Sequence, residues 1–269
     1  MPLKPDDLDR RDPGTLLHAQ LVLPPIRNNV SGFVLNAGMR RHPTTTSVAA
    51  AALAVSLALP ALASAKLTEL GALADGVRGS CPDNCQALTR TTGYQAKVGP
   101  DRELYQAPAD GRIVAWSVGL GKPGPKQTAF FEERYGGASQ AAIVVLERGK
   151  KLSRTVVGKA PLQRLTDYFG QNVQFPLAQS LPIKEGQYVA LTVPSWAPTL
   201  QIGLGTDTSW RSSRAQTGCL DLTTQFALVG RRSSAFFRCL YKTARLTYSA
   251  TFISNPTTAS ADANPDDGG

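Results

Sequence analysis

The sequence predicts an all-β protein, a single antiparallel β-sandwich with two disulfides. Three observations carry that expectation. Past Cys85 the chain breaks into short runs in which apolar and polar residues alternate, the period-two mark of half-buried strands. Gly, Pro, Asp and Asn clusters punctuate those runs, and no long helical period separates them. The cysteines form an even set: Cys81, Cys85, Cys219 and Cys239.

Ahead of this body, Met39 to Ala65 reads MRRHPTTTSVAAAALAVSLALPALASA. A basic start at Met39, Arg40 and Arg41, an apolar run from Val48 to Leu59 broken only by Ser56, and small residues at Ala63 and Ala65 are the parts of a secretory signal peptide in order. The run is about a dozen residues, short of the ~20 that a membrane helix needs, so a leader fits better than an anchor. Residues 1–38 show no sustained period and are expected to be an over-extended, disordered N-terminus, with translation starting at Met39. Cleavage after Ala65 makes Lys66 the first residue of the exported chain and removes both histidines, His18 and His42.

Residues 66–77 read as a lead-in and 78–254 as the sandwich. The candidate strands run in order. Tyr94–Val98 ends at Gly99-Pro100-Asp101, and Leu104–Gln106 ends at APADG. Arg112–Val118 follows, with Val114, Trp116 and Val118 on one face. Ala141–Leu146 is apolar throughout, as in a strand covered on both sides, and turns through Glu147–Lys150 into Lys151–Val157 as a hairpin. Val173, Phe175 and Leu177 alternate. After the turn Lys184-Glu185-Gly186, Val189, Leu191 and Val193 point inward. Leu200, Ile202 and Leu204 come next, then Gln225–Val229. The last strand is the clearest, with Ala244, Leu246, Tyr248, Ala250 and Phe252 on one face. Only Leu162–Phe169 suggests a short helix. The tail at 255–269, NPTTASADANPDDGG, lacks apolar residues beyond alanine and is expected to be disordered.

The cysteines of an exported chain imply bridges. Three pairings are possible; Pro82, Asp83 and Asn84 are turn formers that can bring Cys81 and Cys85 within bridging range, which favours Cys81–Cys85 with Cys219–Cys239. A zinc site fits the spacing less well, and no imidazole remains to complete one. Neither a metal nor a cofactor is expected.

The order of the cysteine turn, APADGRIVAWSVGLG, AAIVVLERG and LPIKEGQYVALTVP resembles secreted jelly-roll or β-sandwich proteins of Gram-positive soil bacteria, over about residues 80–254. The resemblance implies a jelly-roll fold and an extracellular or cell-wall location, and no reaction.

Charge points the same way. The chain carries 29 basic and 20 acidic residues. Loss of the first 65 residues removes six and four of them, leaving 23 against 16. Such a surplus attracts polyanions; for an exported protein that means an anionic envelope polymer rather than nucleic acid. No membrane insertion is expected once the leader is gone.

Few chemistries remain. A Ser-His-Asp triad is impossible without histidine, and neither a G-x-S-x-G elbow nor an S-x-x-K dyad occurs in the exported chain. GLGKPG at Gly119–Gly124 matches a dinucleotide-binding pattern, but Pro123 and Pro125 argue against a helix starting there. Glu132 and Glu133 diverge if they lie on a strand; a glycosidase would need a partner such as Asp207 or Asp221. Trp116 reads as core, whereas Trp196 in PSWAP and Trp210 in TSWRSSR read as loop residues able to stack on sugar rings. Basic residues cluster at Lys150, Lys151 and Arg154, at Arg211 and Arg214, and at Arg231, Arg232 and Arg238. Two arginines beside a loop tryptophan can clamp a phosphate or carboxylate. The expectation is a non-enzymatic protein, structural or binding a glycan or anionic cell-envelope polymer, with Trp196, Trp210, Arg211 and Arg214 at the contact. A carboxylate-dependent polysaccharide hydrolase and a protein–protein adhesion module are the alternatives.

Overall fold

The computed structural model describes residues 64–256. Residues 1–38, nearly all of the predicted signal peptide and most of the 255–269 tail lie outside the described residues. The strands in chain order are β1 (Leu67–Leu70), β2 (Leu88–Val98), β3 (Asp101–Arg102) and β4 (Gly111–Gly119). Helix α1 (Pro125–Tyr135) intervenes, followed by β5 (Gln140–Arg148), β6 (Ser153–Lys159), β7 (Gln163–Arg164), β8 (Asn172–Ile183) and β9 (Tyr188–Ala197). The chain closes with β10 (Leu200–Ile202), β11 (Ser209–Ser212), β12 (Ser234–Phe236), β13 (Cys239–Lys242), β14 (Ala244–Leu246) and β15 (Tyr248–Ser254).

Two large antiparallel sheets form. The smaller has the order β1-β15-β4-β8; the larger runs β12-β6-β5-β9-β2-β11-β13, with β3 and β7 attached at its margins. Four of the pairings nest: β5 with β6, β4 with β8, β2 with β9, and β1 with β15. One long hairpin rolled into two layers gives this pattern, which is the jelly-roll arrangement. The stretch from β10 to β14 is an excursion between the last two strands of the roll, and it widens the larger sheet with β11 and β13. Both bridges form, Cys81–Cys85 and Cys219–Cys239, the second joining the excursion to itself with 5.4 Å between Cα atoms.

The main core lies between the sheets. Trp116, Phe175 and Phe252 come from the small sheet, and Ile143, Leu191 and Val193 from the large one. Alternation follows expectation on β9, where Val189 and Leu191 face this core while Tyr188 and Ala190 face outward. Those outward residues, with Val144, Leu146 and Val156 of the neighbouring strands, are covered by Leu228 and Phe237 of the excursion. Ala141–Leu146 is therefore buried on both faces, as its unbroken apolar run requires.

Several local expectations are corrected. Leu67–Leu70 is an edge strand paired with β15, not a lead-in. On β4 the ladders shift register on either side of Val114, a bulge that puts Ile113 with Trp116 and Val118 in the core and leaves Val114 half-buried. Residues 104–106 are not a strand, and Gln225–Val229 makes only an isolated bridge at Phe226. The Lys184–Gly186 turn carries the chain from the small sheet to the large one. The final apolar face is continuous, but the chain changes sheets at Thr247, between β14 and β15. At 162–169 there is a 3₁₀ turn over Thr166–Tyr168. The α-helix lies instead at Pro125–Tyr135, directly after GLGKPG. A proline suits the first helical position because no backbone N–H is needed there, so Pro125 starts the helix that it was expected to prevent. Gly136, at φ +86°, ends it in the left-handed conformation.

At the centre of the core the Tyr105 and Tyr248 rings stack at 4.3 Å. Tyr105 donates to the Tyr248 carbonyl, and Tyr248 to Val189 O at 3.0 Å. Burial pushes both phenols above their usual value. Each is a proton held more tightly in the folded than in the unfolded chain, so its stabilising effect is complete below about pH 10 and is lost as pH rises further toward the folded value. The melting temperature is expected to hold through mildly alkaline pH and to fall steeply above about pH 10, with a shallower fall in Tyr248→Phe. Melting curves across that range check this.

Candidate functional site

The residues singled out by sequence part company in the structure. Trp196 lies in β9 and Trp210 in β11, not in loops, and both are buried, as is Trp116. A sugar-stacking platform needs an exposed ring face, and none of the three tryptophans offers one. Trp196 anchors α1: its ring packs on Phe131 at 4.9 Å and on Phe169 at 5.5 Å, and its Nε1 donates to Gly137 O at 3.1 Å. Trp196→Ala is expected to cost about 3–5 kcal/mol and to free α1 from the sheet, which chemical denaturation and amide exchange of residues 125–135 would record. Trp210 stacks on Tyr241 at 4.3 Å and lies flat over Gly93, where any side chain would meet its ring at 3.0 Å.

Arg211 is half-buried and faces the outer side of the larger sheet, where it enters a cleft of about 260 Å³. Four more cations line that cleft: Lys97, Arg102, Arg148 and Arg154. The strand ladders bring them there. Lys97 of β2 stands opposite Arg102 of β3, and Arg148 of β5 opposite Arg154 of β6. Like charges directly opposite each other on a ladder destabilise it, so the cleft holds two unfavourable pairs. Glu103 is its one carboxylate. It pairs with Arg148 at 3.4 Å, the one ion pair among the described residues. Burial raises the Tyr188 phenol, which stays a neutral donor to Glu103 at 3.2 Å.

Arg154 is the centre of the cleft. It is 3% exposed, with its guanidinium 5.7 Å from the Tyr94 ring and 5.3 Å from the Tyr188 ring. Its Nη1 donates to Ser153 O at 2.9 Å, while its Nε has no partner among the described residues. Aromatic faces stabilise a cation without neutralising it. A buried guanidinium with spare N–H groups and a cationic surround is a receptor for oxyanions. Composition adds to the field. Past residue 65 the chain carries 23 basic against 16 acidic residues.

Sequence reasoning flagged Arg154 and Arg211 but placed them in separate clusters, and it missed Lys97, Arg102 and Arg148. One signal was present: Lys97 and Arg102 flank the Gly99-Pro100 turn, and Arg148 and Arg154 flank the turn that begins at Gly149. Arg214 does not join Arg211. It is buried beside Trp210 on a separate cavity near α1.

The candidate carboxylates are dispersed. Glu132 and Glu133 lie on α1 rather than on a strand. Hydrogen bonds from the Thr224 side chain and backbone, and from the Thr223 backbone and side chain, hold the Asp221 carboxyl well below the usual range. No group of three His, Cys, Asp or Glu side chains able to hold a metal occurs among the described residues. No helix among them is long and apolar enough to cross a membrane. Comparison with known proteins finds no matching family model, no matching curated protein and no matching solved structure.

Proposed function

We propose that the chain is an exported, non-catalytic protein that binds an anionic cell-envelope polymer in the basic cleft of its larger sheet. The observation that carries this reading is the pairing of like charges, Lys97 with Arg102 and Arg148 with Arg154, around one already engaged carboxylate. That arrangement costs the free protein stability and is relieved when phosphate or carboxylate groups enter. Charge is favoured over sugar stacking because all three tryptophans are buried. A hydrolase needs a second carboxylate facing the first across the substrate, and Glu103 stands alone in this cleft. Two bridges using all four cysteines support export. The start of β1 at Leu67, two residues past the expected cleavage point and next to exposed Ser64, Ala65 and Lys66, supports it too.

Retention on isolated Gram-positive walls tests the proposal. At low salt the purified domain is expected to bind intact walls, and to be released by high salt or by prior chemical removal of the walls' anionic polymers. Retention that survives both treatments would overturn it.

A further inference from the structure

The second cavity has a different character. It measures about 340 Å³, within the usual range for small-molecule sites, and is lined mainly by apolar and aromatic groups. Leu88, Leu200 and Trp210 form its inner wall, and Phe131 and Tyr135 of α1 close one side. All five are buried. Leu222, 42% exposed, and exposed Gln86 stand where it meets solvent.

Into this apolar lining the chain places one full charge. Arg214 is 2% exposed. Its Nη2 donates to Thr89 O at 2.6 Å and to Thr89 Oγ1 at 3.1 Å, and its Nη1 to Tyr241 Oη at 3.1 Å. Its Nε has no partner among the described residues. Every acceptor is neutral, and no described carboxylate pairs with the guanidinium. Burying a cation without a counter-charge is among the costlier arrangements a fold can hold, and the low local dielectric that makes it costly also strengthens its attraction for an incoming anion. Neutral hydrogen bonds orient the group and leave its charge uncompensated.

We propose that this cavity binds a small amphipathic acid, a molecule with one carboxylate head and a compact apolar body. The head meets Arg214 and the body fills the space between Trp210 and the α1 aromatics. The site is independent of the polyanion cleft, since it is lined by other residues and those are mainly apolar.

Calorimetry with 2-naphthoate and the uncharged 2-naphthamide, at fixed ionic strength and with both disulfides intact, tests this. Naphthoate is expected to bind at least roughly tenfold more tightly than the amide, the margin of a charge-assisted over a neutral contact. Arg214→Met should abolish that difference. Because Arg214 also ties Thr89 to Tyr241, Leu222→Trp serves as a second variant: it crowds the mouth from an exposed position, and should abolish naphthoate binding without lowering the melting temperature. Arg211→Glu, in the other cleft, should leave naphthoate binding unchanged. Equal binding of acid and amide, absence of naphthoate binding to the wild-type protein, or binding that survives Leu222→Trp and is lost in Arg211→Glu would each overturn the proposal.

Discussion

Arg154→Met is expected to weaken binding of an anionic polymer by about 10- to 100-fold while leaving the fold at least as stable as before. The first half follows from the magnitude of a hydrogen bond to a charged group, about 1.5–3 kcal/mol, with each ~1.4 kcal/mol worth a factor of ten in affinity. The second half follows from what the arginine does in the free protein. It is 97% removed from solvent, has no carboxylate partner, and stands opposite Arg148 on the ladder. Replacing a buried charged group by an apolar one of similar length is often neutral or stabilising. Methionine keeps the unbranched stem between Tyr94 and Tyr188 and gives up the cation with its hydrogen bond to Ser153 O. Binding measured against melting temperature separates the roles. A residue held for packing loses stability and keeps affinity per folded molecule; a residue held for ligand does the reverse.

The Cys219→Ser/Cys239→Ser double variant is expected to lose roughly 3 kcal/mol of stability, since the bridge closes a loop of 20 residues. For a domain of this size that corresponds to a fall of roughly 6–12 °C in melting temperature. The loss should not be uniform. The excursion supplies Leu228 and Phe237, which cover the outer face of the larger sheet. Arg211 donates to Phe237 O at 3.2 Å, so loosening the excursion also loosens one wall of the cleft. Amide exchange should rise first over residues 219–239, and polymer affinity should fall even at temperatures where the rest of the roll stays folded.

What the sequence made legible was what local chemistry decides. Alternation on β9 and β15, the doubly covered run Ala141–Leu146, the β5–β6 hairpin and both bridges follow from side-chain period and turn formers. The errors arose where a feature is non-local or weakly patterned. Helix α1 buries only Phe131 and Tyr135, one turn apart, which is too thin a stripe to stand out beside Pro123 and Pro125 at its start. The bulge at Val114 puts Ile113 in its place on the inward face of β4 while Trp116 and Val118 keep theirs, and no residue type in GRIVAWSVG announces it. Trp196 and Trp210 sit near prolines or serines and look like loop residues; burial against α1 and Tyr241 depends on elements distant in sequence. The cleft is of the same kind. Its five cations come from five strands, and only strand pairing brings them within reach of a single ligand.

Polyanion binding in the basic cleft is tested by a chemical-shift map of the isotopically labelled domain titrated with inorganic polyphosphate. The amides of Lys97, Arg102, Arg148, Arg154 and Arg211 are expected to move together and saturate together, with little change at Arg231, Arg232 or Arg112. Shifts spread over the whole basic surface, or concentrated away from Arg154, would contradict it.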